Sequence, residues 1–262
     1  MDINSLKYIN LKEPDEGVAV VSFARPERRN AVHKEMLEEM LMVVDAIAAG
    51  YPNRYRAVVL RGEGDGFSAG GDLQAFHDVL GKPRNVIETY IAHVHQFALA
   101  WYDLPMPTIA AMHGVTPGGG AAMGMLCDLR YAAVNTVLHF SFLEIGLIAD
   151  MGSHYMLPSL IGSGKALELL FSGEPVEAEE AYRLGLLTRV LPTREETDAA
   201  AITKAAQIAR APHEAMQTTK KLIRQAHRSS MSETVALEVS NQTDRFLSPV
   251  FAARIEGFFK KK

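Results

Sequence analysis

The sequence predicts a layered α/β fold, on three observations. Short runs of apolar and β-branched residues, of strand length, alternate with longer segments of helical period. Two of the strands run into glycine-rich corners that lead toward helices. The chain has 262 residues, 48% hydrophobic and 22% charged, enough to bury a large core.

In chain order, Val18 to Phe23 is a strand, and Arg25 to Ala31 is the loop after it, where Pro26 stops the pairing. Lys34 to Ala49 carries Met36, Leu37, Met40, Leu41, Val44 and Ile47 at helical spacing, and Gly50 closes it. Ala57 to Leu60 is the next buried strand, running into the glycine-rich loop Gly62–Leu73 and toward a helix. Ile87, Tyr90, Ile91, Val94 and Phe97 read as a helix, so His93 and His95 offer no metal-binding pair. Thr108 to Met112 is a strand, Gly118, Gly119 and Gly120 break it, and Ala121 to Cys127 is a tightly packed helix. Leu129–Ala133 and Thr188–Leu191 are short strands.

From Glu195 onward only helical stretches follow: Glu196–Arg210, His213–His227 and Ser232–Leu247, punctuated by Pro212 and Pro249. Residues 1–193 are thus expected as the core and 194–262 as a helical region. Val235, Leu237, Val239, Phe246 and Leu247 lie at a spacing suited to packing between copies of the chain. Lys220, Lys221, Arg224, His227 and Arg228 form a basic cluster that reads as a solvated helix face.

A net charge of −4 gives no general attraction to nucleic acid or to anionic membranes. No run reaches membrane-spanning length and the N-terminus lacks a long apolar core, so a cytoplasmic location without membrane or nucleic-acid partners is expected. The single cysteine, Cys127, lies inside an apolar helix and reads as a buried structural thiol.

Chemistry points to the two glycine corners, Gly70-Gly71 and Gly118–Gly120. Both can expose backbone N–H groups, and two such groups aimed at one oxygen are the minimum for an oxyanion hole. The same glycines also serve tight turns and close strand–helix packing, and spacing alone does not show that the corners converge.

Phe67-Ser68-Ala69-Gly70-Gly71-Asp72-Leu73, Ala110–Gly114 leading to Gly118-Gly119-Gly120, and Cys127-Asp128-Leu129 together resemble the crotonase (enoyl-CoA hydratase/isomerase) superfamily. The loop Arg25–Ala31 resembles its early CoA-side loop, and Ser172-Gly173 with Ala178–Gly185 and Val190 its later segment. The resemblance implies a ββα spiral core, a C-terminal helical trimerisation region, and trimers paired into hexamers. It also implies an acyl-CoA thioester as substrate, coenzyme A entering as part of that substrate and no separate cofactor. By the same carry-over, the N–H groups of Gly71 and Gly119 hold the thioester oxygen. The carbonyls near Ala31 and Ala69 face the adenine, Arg28 or Arg29 lies near the CoA phosphates, and Gly70, Asp72 and Leu73 belong to the same binding loop.

The two glutamates of the family's hydratases are absent: Ala122 stands at the first position and Phe142 at the second, with Glu144 two residues out of register as a surface or packing residue. One acid remains in a matching place, in Gly146-Leu147-Ile148-Ala149-Asp150-Met151-Gly152-Ser153. That segment resembles the loop of dienoyl-CoA isomerases, of ring-opening phenylacetate-pathway isomerases and of 4-chlorobenzoyl-CoA dehalogenase. Asp150 is therefore the catalytic expectation, against the alternative that it only caps a helix over Met151–Leu157. His95 falls where the dehalogenase resemblance puts a base, against the alternative of a packed helical histidine. Phe76, Trp101, Phe142 and Tyr155 are expected as pocket walls, and His113 and His154 either line the pocket or pack. An isomerase is favoured over a hydrolase or dehalogenase, an atypical hydratase, or a catalytically degenerate acyl-CoA binder.

Overall fold

A computed structural model of the chain describes residues 5–225, 232, 236, 239, 242–244, 246–247 and 249–260. Its main sheet has six strands in the order β1-β2-β3-β4-β6-β9. These are β1 (Ile9–Asp15), β2 (Gly17–Phe23), β3 (Tyr55–Gly62), β4 (Thr108–Met112), β6 (Leu129–Ala133) and β9 (Arg189–Leu191). All neighbours pair in parallel except β1 with β2. A second sheet joins β5 (Val115–Pro117), β7 (Val137–His139) and β8 (Val176–Glu177). The chain steps from one sheet to the other, β4 to β5 and β6 to β7, before each following helix, which is the ββα spiral.

Four of these strands carry little sequence signal. In β1 only Ile9 is buried, because the strand is the sheet's edge and its outer residues face solvent. β5, β7 and β8 are two or three residues long, too short for a period. Around the sheets lie α1 (Lys34–Gly50), α2 (Leu73–Val79), α3 (Arg84–Tyr102), α4 (Gly119–Met125), α5 (Ser153–Ser172), α6 (Ala178–Leu184), α7 (Arg194–Ala209), α8 (His213–Gln225) and α9 (Pro249–Lys260). Gly50 is the last residue of α1 rather than a left-handed cap. Its need is for space, since a Cβ there would sit 2.6 Å from the Tyr55 ring.

The sheet's two faces are covered differently. One packs on the large core that includes α1, α3 and α4. The other is covered by α7, whose Ala201, Ala205 and Ala209 lie on Val18, Val59 and Ile109. Small side chains along one stripe let the helix approach the strands closely. Thr193 caps α7 by accepting the Glu196 N–H at 3.1 Å, and Asp198 anchors it to Arg61 of β3 at 2.8 Å. The first helix of the C-terminal region is therefore integral to the core's packing.

Two members of the basic cluster, Lys220 and Arg224, are not on a solvated face, whereas Lys221 is exposed. Lys220 and Arg224 of α8 converge on Asp128, at 2.8 and 2.6 Å, and Arg224 stacks over Tyr102. Asp128 also accepts the backbone N–H of Thr108, so α8 is clamped to the start of β4. His227 and Arg228 lie outside the described residues, as do Val235 and Leu237 and half of the stretch 232–247. Phe246, placed by the sequence reading between subunits, is buried against Phe76 and Phe251 of its own chain. Among the described residues no helix is long and apolar enough to cross a membrane.

Candidate active site

The site begins with the loop after β2. Asn30, in a left-handed conformation at φ 56° and wholly buried, donates from Nδ2 to the carbonyls of Glu63, Gly66 and Phe67 and accepts the Arg25 N–H. Ser68 Oγ donates to the Asn30 carbonyl and accepts the Gly70 N–H at 3.1 Å. These contacts weld the two loops into one block. A parallel bridge joins Val32 and Gly71, with Val32 N–H donating to Gly70 and Asp72 N–H to Val32. The Gly71 N–H takes no part in it.

The second corner meets the first directly. Gly70 sits at φ 76°, where a Cβ would lie 2.7 Å from the Pro117 carbonyl and 3.0 Å from the Gly119 nitrogen. A Cβ on Gly120 would collide with the Ser68 carbonyl. The glycines thus serve both roles open at the sequence level: they allow close backbone packing, and that packing brings the corners together. α4 starts at Gly119, inside the triplet rather than after it. As first helical residue, Gly119 has no carbonyl one turn back to receive its N–H.

A cavity of about 570 Å³ opens here. Its wall contains Gly70, Gly71 and Gly119, with Asp150 and Phe142. Arg28, Ala31, Ala69, Asp72 and Leu73 also line it. Phe76 belongs to the wall as expected, but Trp101 and Tyr155 do not: Trp101 is buried beside Phe97, and Tyr155 packs edge-on against Tyr102. Arg29 is also outside the wall. Its contribution is backbone, a left-handed turn whose carbonyl accepts the Ala69 N–H. His95 is 2% exposed, with Nδ1 donating to the Ile91 carbonyl one helical turn earlier, so it packs in α3 instead of lining the cavity. His113 is buried against the Gly64 carbonyl, and His154 is exposed.

Asp150 is not the cap of the following helix. α5 begins at Ser153, and its cap position is Gly152 in the left-handed region. The Asp150 carbonyl accepts there from the N–H and the hydroxyl of Ser153. Met151 is also left-handed, at φ 51°, a costly conformation outside glycine. A Cβ on Gly119 would stand 3.7 Å from Met151 Sδ, so the Asp150 loop runs beside the second glycine corner.

Among the described residues, three carboxylates share the wall. Asp72 caps α2, accepting the Gln74 N–H, and is bound by the Arg25 guanidinium, which also donates to the Ala31 carbonyl. Burial alone would raise its carboxyl, but the Arg25 hydrogen bond, the Gln74 N–H and the Arg25 charge hold it below the usual range. Glu144 is half-exposed at the mouth and bonds His139 at 2.8 Å, so it is a cavity residue and not merely a surface one. Asp150 stands deeper, near Tyr90, whose phenol is pushed up by burial first and then by the charges of Asp150 and Asp72.

Tyr90, His139, Gln242 and Phe246 also line the wall, and the sequence placed none of them there. Tyr90 looked like one more apolar position of α3. Gln242 and Phe246 reach the cavity from the far end of the chain and carry no local signal.

The sequence profile of the family described as Enoyl-CoA hydratase/isomerase matches residues 13–261. The chain is 31% identical over 261 residues to the enoyl-CoA hydratase ACTT3 of Alternaria alternata, covering 99% of this chain and 86% of that one. It is 30% identical over 270 residues to 4-chlorobenzoyl coenzyme A dehalogenase-2 of Arthrobacter sp, covering 100% and 94%. YhaR of Bacillus subtilis (strain 168) is 36% identical over 173 residues, 65% of each chain. Among solved structures, an enoyl-CoA hydratase/isomerase from Mycobacterium paratuberculosis superposes with a TM-score of 0.88 at 23% identity, covering 95% of this chain and 98% of that one. With the profile spanning nearly all of the sequence and the spiral core in place, the chain belongs to the enoyl-CoA hydratase/isomerase family of the crotonase superfamily, as an acyl-CoA-processing enzyme.

Proposed function

We propose that the protein is an isomerase of an acyl-CoA thioester in which Asp150 moves the proton. The observation that carries this reading is the division of labour among the three carboxylates that the described residues place in the cavity wall. Asp72 is committed to Arg25 and the α2 cap, and Glu144 is paired with His139 at the solvent-facing mouth. Asp150 is the acid beside the glycine corners.

In this mechanism the Asp150 carboxylate takes a proton from a carbon conjugated with the thioester carbonyl. The C–H electron pair moves into the conjugated system and the charge arrives on the carbonyl oxygen. The N–H groups of Gly71 and Gly119 stabilise that enolate, because fixed donors in an apolar site cost no reorganisation. Asp150 then returns the proton to a different carbon, so one group serves as base and then as acid. Hydration would need water activated as well as a proton delivered, and Ala122 and Phe142 supply neither. The CoA moiety runs past Arg28, Ala31 and Ala69, no further cofactor takes part, and the working form is a trimer or hexamer.

A second reading, in which Asp150 attacks an aroyl carbon and His95 activates water for hydrolysis, is supported by the likeness to the Arthrobacter dehalogenase. The packing of His95 outside the cavity wall weighs against it.

Enoyl-, dienoyl- and aryl-CoA esters, each assayed for isomerisation, hydration and hydrolysis, test the proposal. Isomerisation of one class should dominate, and Asp150→Asn should lower it by about 10²–10⁴-fold while leaving CoA-ester binding intact. An undiminished Asn variant, or crotonyl-CoA hydration at the order of 10 per second common among enzymes, would overturn it.

A further inference from the structure

We propose that Gln242 is a positioning residue for Asp150: from the C-terminal segment its amide holds both the backbone and the carboxylate of the Asp150 loop. This rests on the reading of Asp150 as the proton carrier.

Gln242 is 1% exposed and lines the cavity near Phe246. A buried primary amide is costly unless its polar atoms are used. Here Oε1 accepts the N–H of Ile148 at 3.2 Å, and Nε2 donates to Asp150 Oδ2 at 3.4 Å. One side chain thus spans three residues of the loop that then enters left-handed turns at Met151 and Gly152. Such a loop keeps its conformation only where its surroundings impose it. The longer of the two bonds leads to the reacting group, and catalytic contacts are often long before substrate tightens them.

The amide also acts on charge. A donor aimed at a carboxylate favours its ionised form, the form a proton acceptor must have. Among the described residues, the charged and titratable groups around the cavity are few. α3 presents Tyr90, kept protonated; the loop before α2 presents Asp72, bound to Arg25; the mouth presents Glu144 with His139; and Arg28 lies on the CoA side. Asp72 and Glu144 both oppose a charge on Asp150. Gln242 offsets them without adding a titratable group of its own.

The test uses Gln242→Leu, which removes both bonds, and Gln242→Glu, which keeps an acceptor for Ile148 but replaces the donor with an oxygen. Asp150 is read directly by ¹³C NMR of protein labelled at the aspartate γ-carboxyl, its signal assigned by loss in Asp150→Asn. Gln242→Leu should move the Asp150 titration midpoint and the acid limb of kcat upward by about one pH unit, the order expected for one lost donor to a carboxylate, and Gln242→Glu, which sets a second carboxylate against Asp150, should move them upward at least as far. KM should change little. An unmoved midpoint in whichever variant folds would overturn the proposal, since a purely structural glutamine affects stability and not proton affinity. If the wild type isomerises no ester yet the midpoint moves, the positioning role stands and the isomerase reading fails.

Discussion

Replacing Gly119 with proline deletes one backbone N–H and leaves the surrounding fold in place. Gly119 is the first residue of α4, where proline's missing donor removes no intrahelical bond and its fixed φ suits the helix. The space is there: a Cβ would stand 3.7 Å from Gly70 Cα and from Met151 Sδ, and 3.8 Å from the Gly71 nitrogen. Gly118 precedes it at φ 50°, ψ −120°, outside the α region that a following proline disfavours. The matched control is Gly119→Ala, which fills the same space and keeps the N–H. Both variants should melt within about 1 kcal/mol of the wild type, the usual range for glycine and proline exchanges at compatible sites. Loss of one oxyanion donor costs about 2.7–4 kcal/mol, so Gly119→Pro should lose about 10²–10³ in kcat relative to Gly119→Ala. Thermal melts and steady-state isomerisation rates decide it. A proline variant that turns over as fast as the alanine variant would show that this N–H does not hold the developing charge.

Three further outcomes follow from the packing. His113 is buried, which lowers its proton affinity, and its Nδ1 has no partner among the described residues. As pH falls below about 6.5, the unfolded chain binds this proton before the folded one, so stability should drop from there downward, and His113→Gln should flatten that part of the profile in urea titrations. Burial pushes the Cys127 thiol up to about 12, so a thiol reagent at neutral pH should label it only at the rate of unfolding; fast native labelling would contradict its burial. Ending the chain after Thr193 removes α7 and bares Val18, Val59 and Ile109, so that product should be insoluble or unfolded; a folded, active monomer would refute the packing account.

The sequence by itself determined the elements that have a period or a run: the strands over Val18–Phe23 and Thr108–Met112, the helix from Lys34, and the glycine corners between them. Local chemistry suffices for these, because apolar spacing and the lack of a Cβ act on neighbouring residues. The resemblance carried over from those corners also named residues that line the cavity, among them Arg28, Ala31, Gly71, Gly119 and Asp150. What it did not contain is anything that depends on which distant atoms meet. Asp150 followed by a helix reads as a cap, yet the chain turns through Met151 and Gly152 first, and the cap falls elsewhere. His95 sits at a position that suits a base, and its helix rotates it into the core. Lys220 and Arg224 look solvated until Asp128, some ninety residues earlier, is set between them. The convergence of Gly71 with Gly119, and the arrival of Gln242 at Asp150, arise only when separate segments pack. Those contacts are fixed by the summed burial of the whole core and leave no trace in the spacing of any one stretch.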